Sequence, residues 1–255
     1  MSAIATRASR LMRPRSGLTY LVFAVTFVVV MFPLVWMLYT SFKPQYAIFE
    51  DPFALPTSLN FDNYVTAWRD GDFGPAFVNS IIVTLPSVVG VLGISALAAY
   101  AFARLDFPGR SVLFVFVLAG LAIPPAAIVI PSYKIVSTLG LVDTYWSLIV
   151  TYLAWCPLGI VILTAFFRSL PKEIEEAAKV DGASTFRIFW RIALPLARPA
   201  LATVAIFYFV FIWNDFLYPL LYLQSEDLYT IPLRLVSFKG QYSVDWGVQT
   251  AALSI

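Results

Sequence analysis

Two long segments of this sequence carry no charged residue: the 27 residues 16–42 and the 31 residues 73–103. A helix needs about 20 predominantly apolar residues to cross the roughly 30 Å hydrocarbon core of a bilayer. The whole chain is 60% hydrophobic and only 13% charged, and a soluble domain of this size has no core that could enclose so much apolar surface. The sequence therefore predicts an all-α integral membrane protein.

The apolar segments predict six membrane spans. The first five are expected near residues 18–39, 77–102, 111–130, 146–167 and 200–223, and a sixth apolar segment begins at Gly247. The part of the sixth segment that the sequence contains, from Gly247 to Ile255, is too short to cross the bilayer as a helix. We therefore expect the sequence to continue beyond Ile255, the alternative being a chain that ends in mid-membrane.

Several connections between the spans also have predictable structure. Pro124 and Pro125 are expected to break or bend the third span, because proline removes a backbone donor and clashes with the preceding turn. Residues 41–75 are predicted to form an external loop that contains a short helix at 61–68. Residues 132–145 are predicted to form a short external connection.

The charges outside the spans predict the orientation. Lysine and arginine collect in cytoplasmic loops. Twelve of the seventeen lie in residues 1–17, in the turn after the second span and in the central loop 168–199, whereas five lie in the alternate loops. We therefore expect residues 1–17 to be a cytoplasmic amino-terminal segment and residues 18–255 to be one transmembrane domain. A cleaved signal peptide is the alternative reading of the amino terminus, but the apolar stretch is too long and lacks a small-residue cleavage site.

The stretch 176–195 of the central loop, EAAKVDGASTFRIFWRIALP, predicts two short helices joined by a turn. Gly182 follows Asp181 at the place where a left-handed helix cap is expected, and glycine adopts that conformation without steric cost. In the helix before the turn, Glu175 and Lys179 have the i,i+4 spacing of a favourable ion pair.

The second helix of this stretch is predicted to be amphipathic. Ser184 is placed to cap its first turn. Arg187 and Arg191 lie off an apolar stripe at helical spacing, which comprises Phe186, Phe189, Trp190, Ala193 and Leu194. A charged, amphipathic pair of helices at a membrane surface suits docking into a groove on a soluble partner. The alternative is an ordinary amphipathic loop beside the membrane.

The spacing within this stretch matches a known motif. Glu176-Ala177-Ala178 is followed by three residues, Gly182, nine residues, Ile192, one residue and Leu194-Pro195. This pattern resembles the EAA motif of binding-protein-dependent ABC importer permeases, and every element of it is present. The resemblance implies a six-span type I importer fold in which residues 168–199 form the coupling loop that sits in a cleft of a cytoplasmic ATPase subunit. It assigns coupling to Glu176, Ala177, Ala178, Asp181, Gly182, Ile192, Leu194 and Pro195.

Other segments resemble the maltose-type carbohydrate permeases within that family. They are SFKP at 41–44, NSI at 79–81, AAYAFAR at 98–104 with PGR at 108–110, and WND at 213–215. The resemblance implies sugar uptake across a prokaryotic cytoplasmic membrane. It also implies a second similar permease, two copies of an ATPase subunit that binds ATP and Mg²⁺, and an external solute-binding protein. A sugar phosphate or a peptide is the alternative cargo within the same architecture.

No catalytic or cofactor site is predicted on the chain itself. The sequence has no histidine, which excludes Ser-His-Asp chemistry and histidine-based zinc sites. It has no GxxxxGK[ST] phosphate loop, and its single cysteine, Cys156, cannot form an intrachain disulfide. A net charge of +2 is too weak to indicate nucleic acid. We therefore expect no metal, no bound cofactor and no nucleic-acid partner.

Asp215 is the one charged residue of the fifth predicted span. A carboxylate is costly in lipid, so it is expected to face a partner helix or a wet cavity unless it lies at the hydrated outer surface. Together with aromatic rings that can stack on sugars, it defines the candidate substrate pathway: Trp213, Asn214, Asp215 and Tyr218. A secondary transporter is the alternative class, although such proteins usually carry several intramembrane charges. An intramembrane enzyme would need histidine or a paired acid dyad.

Overall fold

The computed structural model describes residues 17–56, 58–241 and 245–255, and in these ranges the secondary structure is helical. We number the helices α1 to α14 in chain order. Their bounds are α1 Gly17–Thr40, α2 Gln45–Glu50, α3 Asp62–Asp70, α4 Phe73–Arg104, α5 Arg110–Leu121, α6 Pro125–Thr138, α7 Tyr145–Leu153, α8 Pro157–Ser169, α9 Lys172–Val180, α10 Thr185–Leu196, α11 Arg198–Trp213, α12 Leu217–Tyr222, α13 Ile231–Gln241 and α14 Trp246–Ser254.

The predicted apolar segments are helical in the described residues, but only two of the predicted spans are single helices, and the fifth, predicted at 200–223, divides into α11 and α12. Within the described residues, α1 and α4 are each long and apolar enough to cross a membrane, and counting each bent helix pair as one span gives up to five. The helices α5 and α6 meet at 104°, which confirms the break predicted at Pro124 and Pro125. The prediction of a connection at 132–145 was wrong, because α6 continues to Thr138. The fourth span is also broken, by a 40° bend between α7 and α8.

Side chains from neighbouring helices satisfy the backbone at the break in the fourth span. The hydroxyl of Tyr208 on α11 donates to the carbonyl oxygen of Trp155 at 2.6 Å and accepts from the amide of Gly159 at 3.1 Å. Ser95 on α4 donates to the carbonyl oxygen of Cys156 at 3.3 Å. These bonds are needed because an unpaired backbone group at membrane depth has no water to bind. Gly159 leaves room for them, since an added Cβ would lie 2.6 Å from the Ser95 hydroxyl.

One compact unit of the fold comprises the described residues up to Gly71 and the described residues from Phe238 to Ile255. The predicted helix at 61–68 is confirmed as α3. Residues 41–44 form the turn after α1, where Lys43 is buried and its Nζ donates to the carbonyl oxygen of Asp51 at 3.0 Å. Asn63 on α3 donates to the carbonyl oxygens of Ser41 and Lys43. Gly247 packs against this turn so closely that a Cβ would come within 2.7 Å of Asn63.

The second compact unit is residues 72–237, and α4 lies at its centre. At its amino-terminal end, Asn79 donates from Nδ2 to the carbonyl oxygens of Asp227 at 2.7 Å and Tyr229 at 3.0 Å. The neighbouring Ser80 hydroxyl accepts from the amide of Ile231 at 2.9 Å. These bonds hold segment 226–234 against the start of α4.

Ion pairs and a carboxylate cap complete this end of the second unit. Arg234 is buried and pairs with Asp72 and Glu226. Asp143, in a left-handed conformation, accepts from the amides of Gln224 and Ser225 and from the Ser225 hydroxyl. The hydrogen bonds from Ser225 and Gln224 lower the pKa of Asp143 below its usual value. Its contribution to stability is therefore present above the ordinary carboxyl pKa and is lost as the pH falls through the lowered one.

Tyr208→Phe tests whether the break in the fourth span depends on the hydroxyl. The change leaves the Trp155 carbonyl and the Gly159 amide without their partner, and an unsatisfied buried group costs about 1–3 kcal/mol. We expect a lower melting temperature for the purified variant in detergent. Tyr133→Phe is the control, because Tyr133 lies in the same unit but is exposed. Equal melting temperatures for wild type and Tyr208→Phe would contradict this account.

Candidate coupling site

The coupling loop, residues 168–199, contains the two predicted helices, α9 and α10, and the predicted turn between them. Gly182 has φ +77°, so the left-handed cap is confirmed. Its amide donates to the carbonyl oxygen of Lys179 at 3.0 Å, and the amide of Ala183 donates to that of Ala178 at 2.9 Å, which is the usual pairing for a glycine-capped helix end. The predicted cap of α10 is also confirmed, because the Ser184 hydroxyl accepts from the Arg187 amide at 3.3 Å.

The predicted apolar stripe of α10 is divided between two faces. Phe189 and Ala193 are buried together with Ile188, whereas Phe186 and Trp190 are 67% and 51% exposed. Residues Phe189–Ala193 form a π turn. A π turn has more residues than an α turn. Side chains that follow it therefore point to different sides of the helix from those predicted with a period of 3.6 residues. Phe186 and Trp190 contact each other edge to face, with ring centroids 6.1 Å apart.

Half of the residues assigned to coupling are exposed, and none is fully buried. Glu176, Ala177, Asp181 and Gly182 are exposed, and Ala178, Ile192, Leu194 and Pro195 are half-buried. The loop also presents apolar side chains to its surroundings, of which Val180 is 88% exposed and Ile174 is 42% exposed. We call Ile174, Glu176, Val180, Phe186 and Trp190 the exposed loop face.

Glu175 behaves differently from the rest of α9. It is the one buried residue of that helix. The prediction that Glu175 forms an ion pair with Lys179 was wrong, because Glu175 pairs with Arg104 instead. Its Oε1 pairs with Nε of Arg104 on α4 at 2.7 Å, and its Oε2 accepts from the Tyr100 hydroxyl at 2.9 Å. Arg104 also donates from Nη2 to the carbonyl oxygen of Leu170 at 2.7 Å. We call these three side chains and the Leu170 carbonyl the Arg104 cluster.

The Arg104 cluster is enclosed by protein. The side chains of Arg104 and Glu175 are 6% and 8% exposed. The ring of Tyr100 packs against Phe167, at the end of α8, and against Phe189 on α10, with centroid distances of 5.6 and 5.2 Å. Removing one partner of a buried ion pair typically costs about 3–5 kcal/mol, because the other charge is left uncompensated. Sequence reasoning did not find this pair, although Arg104 ends the segment 98–104 and Glu175 adjoins the EAA motif.

The four candidates for the substrate pathway have different environments. The Asp215 carboxylate accepts from the Tyr152 hydroxyl on α7 at 2.6 Å and from the Leu217 amide at 3.1 Å. Tyr218 is buried, and its ring contacts that of Trp155 edge to face at 5.6 Å.

The other two candidates lie at the end of α11. Trp213 is half-buried and packs its ring against Phe77 and Phe209. Asn214 is exposed and donates to the Val210 carbonyl. The structure therefore brings Asp215 and Tyr218 together with Tyr152, whereas Trp213 and Asn214 make separate contacts.

A protein-family comparison bears on this arrangement. The model of the family described as "Binding-protein-dependent transport system inner membrane component" matches residues 90–255, which include the Arg104 cluster and the whole coupling loop. The chain belongs to this family. It is thus a permease, an inner-membrane component of an ABC import system that works with other subunits.

Individual relatives agree with that assignment. The permease is 39% identical to the probable ABC transporter permease protein YurM of Bacillus subtilis and 38% identical to the diacetylchitobiose uptake system permease protein NgcG of Streptomyces coelicolor. Each match covers 89% of this chain and 76% of the relative. A solved bacterial ABC transporter involved in the import of the acidic polysaccharide alginate superposes with a TM-score of 0.80, over 93% of this chain and 89% of that one, at 23% identity. The structural match shows a shared fold.

Asp215→Ala should impair the permease by leaving the Tyr152 hydroxyl and the Leu217 amide without their acceptor, at about 1–3 kcal/mol for each buried group left unpaired. Asp215→Asn keeps one acceptor oxygen and should be less harmful. We expect the recovery of folded permease to fall in the order wild type, Asn variant, Ala variant, as measured by monodisperse yield from membranes. Asp70→Ala, at an exposed aspartate, is the control. Wild-type yield for Asp215→Ala would contradict a supporting role.

Proposed function

We propose that this permease forms part of the membrane pathway of an ATP-driven sugar importer and that its coupling loop docks in a cleft of the ATPase subunit. The observation that carries the proposal is the exposed loop face. It comprises exposed side chains of two helices joined by the Gly182 turn, and all but Glu176 are apolar. The loop lies outside the predicted spans, so lipid within the bilayer does not account for these exposed apolar residues, which favours a partner surface.

The chemistry of the exposed loop face suits a protein cleft. Phe186 and Trp190 supply rigid aromatic area, which often dominates the binding energy of interfaces. Glu176 adds an exposed negative charge on α9. The remaining assigned residues, Ala177, Ala178, Asp181, Gly182, Ile192, Leu194 and Pro195, set the shape and the turn. We assign the loop, residues 168–199, to coupling and residues 18–255 to one transmembrane domain.

The permease needs partners because its sequence contains no phosphate-binding loop. ATP and Mg²⁺ bind to two copies of the ATPase subunit, which close on each other when ATP is bound. The coupling loops move with them, and this permease and a second similar one rock between inward and outward openings. An external solute-binding protein delivers the substrate. This chain carries out no hydrolysis itself.

A sugar is the proposed cargo. The relative NgcG is named for diacetylchitobiose uptake, and the structural neighbour takes part in alginate import. Aromatic rings lie next to Asp215, of which Tyr218 is buried and Trp155 is half-buried. Since sugar rings stack on aromatic side chains, we place Trp213, Asn214, Asp215 and Tyr218 along the pathway. A sugar phosphate or a peptide is the alternative cargo, which uptake assays with a solute panel distinguish.

Gly182→Val tests the docking role of the coupling loop. Nothing lies within 4 Å of a Cβ at this position, so the substitution acts through the backbone, where a β-branched residue at positive φ costs about 1–3 kcal/mol. We expect normal membrane abundance, loss of uptake and reduced copurification of the ATPase subunit. Gly182→Asn should retain much more activity, because asparagine tolerates the left-handed region.

Gly109→Val is the matched control for Gly182→Val. Gly109 has φ +80° and open space around its Cβ position, but it precedes α5 and lies outside the coupling loop. The Gly109→Val variant should copurify with as much ATPase subunit as the wild type does. Glu176→Lys, which reverses a charge on the exposed loop face, should reduce ATPase recovery as Gly182→Val does. Full uptake in both Gly182→Val and Glu176→Lys would refute the coupling assignment.

The orientation has its own test. Because twelve of the seventeen basic residues lie on one predicted side, we place the amino terminus and the coupling loop in the cytoplasm. A reporter fused after Arg191 should be cytoplasmic, and a reporter fused after Asp62 should be external. Both reporters on the same side of the membrane would contradict the six-span arrangement.

A further inference from the structure

One side chain of α9 makes hydrogen bonds to a membrane helix. Glu175 is the only buried residue of α9, whose other residues are exposed or half-buried, and it bonds to Arg104 and Tyr100 on α4. The chain also connects α9, through Leu170 and Pro171 on one side and the Gly182 turn on the other, and α9 packs against α10. Glu175 is therefore the point at which a force on α9 is transferred to another helix by directed bonds.

The bonds at Glu175 fix a direction as well as a distance. Both carboxylate oxygens are used, one by Arg104 and one by Tyr100, and the same guanidinium also holds the Leu170 carbonyl. A charge-assisted bond to a guanidinium has a narrow preferred geometry. Buried ion pairs contribute little net stability compared with apolar residues of similar size, so the arrangement is better explained by positioning than by stability.

The partner of Glu175 lies on the longest continuous helix. Arg104 is the last residue of α4, which is one helix from Phe73 onward, with Pro86 inside it. At a rise of 1.5 Å per residue the 25 steps from Asn79 to Arg104 cover about 38 Å. Asn79 and Ser80 hold segment 226–234 by hydrogen bonds, and Arg234 in that segment pairs with Asp72. The two ends of α4 therefore carry the coupling helix and segment 226–234.

We propose that Glu175, Arg104 and Tyr100 are positioning residues that make α9 and α4 move together, so that displacement of the coupling loop reaches segment 226–234 at the opposite end of α4. This inference rests on the proposed coupling function. It assigns to Glu175 a role separate from docking: the exposed loop face binds the ATPase subunit, and the buried carboxylate transmits its movement.

The test measures substrate moved per ATP hydrolysed by the complete transporter in proteoliposomes, with its ATPase subunits, second permease and solute-binding protein. Glu175→Gln weakens the bond to Arg104 without altering the exposed loop face. We expect ATPase recovery and ATP hydrolysis near wild type, with transport per ATP lower by about 5-fold or more, within the range of ordinary coupling between sites. Tyr100→Phe removes only the hydroxyl bond, keeps the ring between Phe167 and Phe189, and should give a smaller loss.

A double variant separates positioning from stability. Arg104→Met with Glu175→Met replaces the buried pair by apolar side chains of similar length, a change that is often neutral or stabilising for folding. We expect membrane abundance near that of the wild type and a melting temperature lowered no further than in Tyr208→Phe, because the Tyr100 hydroxyl and the Leu170 carbonyl lose their partners. Transport per ATP should be as low as in Glu175→Gln. Asp106→Asn is the matched control. Asp106 pairs with Arg110 at the same 2.7 Å distance, but it is exposed and its pair lies within one turn of chain. Transport per ATP should not change in this control.

Wild-type transport per ATP in Glu175→Gln or in the double variant would overturn the proposal. Loss of ATPase recovery in these variants would also overturn it, because it would show that the pair serves docking. If Glu175→Gln and the double variant both accumulate poorly in the membrane, Tyr100→Phe provides the test instead. Wild-type transport per ATP in Tyr100→Phe would then overturn the proposal. Failure of the coupling function is recognised separately, by full uptake in Gly182→Val and Glu176→Lys.

Discussion

Hydrogen bonding of the backbone in a medium without water is the constraint on which the rest of the structure depends. A continuous helix bonds its own N–H and C=O groups except at its ends and at a proline such as Pro86 of α4, whereas a broken span also needs side chains from its neighbours. Tyr208 and Ser95 supply these at the break between α7 and α8. Asp215 accepts from the Leu217 amide where α11 gives way to α12. These three polar side chains thus lie where the helices are interrupted, and their bonds tie α4, α7, α8 and α11 together.

Features set by one residue and its immediate neighbours could be predicted from the sequence. Proline lacks a donor wherever it occurs, so Pro124 and Pro125 marked the break between α5 and α6. Glycine after Asp181 indicated a left-handed cap, and Gly182 has one. The apolar runs gave α1 and α4 to within a few residues. The interruption before Pro157 was missed, because proline also starts helices, and only the contacts with Tyr208 and Ser95 show that the chain bends there.

Features set by residues far apart in the chain could not be predicted. Local spacing favoured a pair between Glu175 and Lys179, but Arg104 lies 71 residues away and offers a buried, two-bond geometry together with Tyr100. An exposed i,i+4 pair is worth only a few tenths of a kcal/mol, so it does not compete with a bond that also satisfies a buried guanidinium. The faces of α10 were misassigned for a related reason. The π turn at Phe189–Ala193 accompanies the packing of Phe189 on Tyr100, which a helical period does not encode.

The distribution of breaks bears on how a force would travel through residues 72–237. The coupling loop follows α8 directly in the chain, and α8 meets α7 at a 40° bend. A force passed only along the chain would reach that bend first, and interruptions of this kind are where displacement is readily absorbed. The bond from Glu175 to Arg104 provides a second route, into a single helix of 32 residues that contains Pro86 but has no break between helices. Because Arg104 also holds the Leu170 carbonyl at the end of α8, it joins both routes before the bend, and α4 offers a path between the coupling loop and segment 226–234 that crosses no such break.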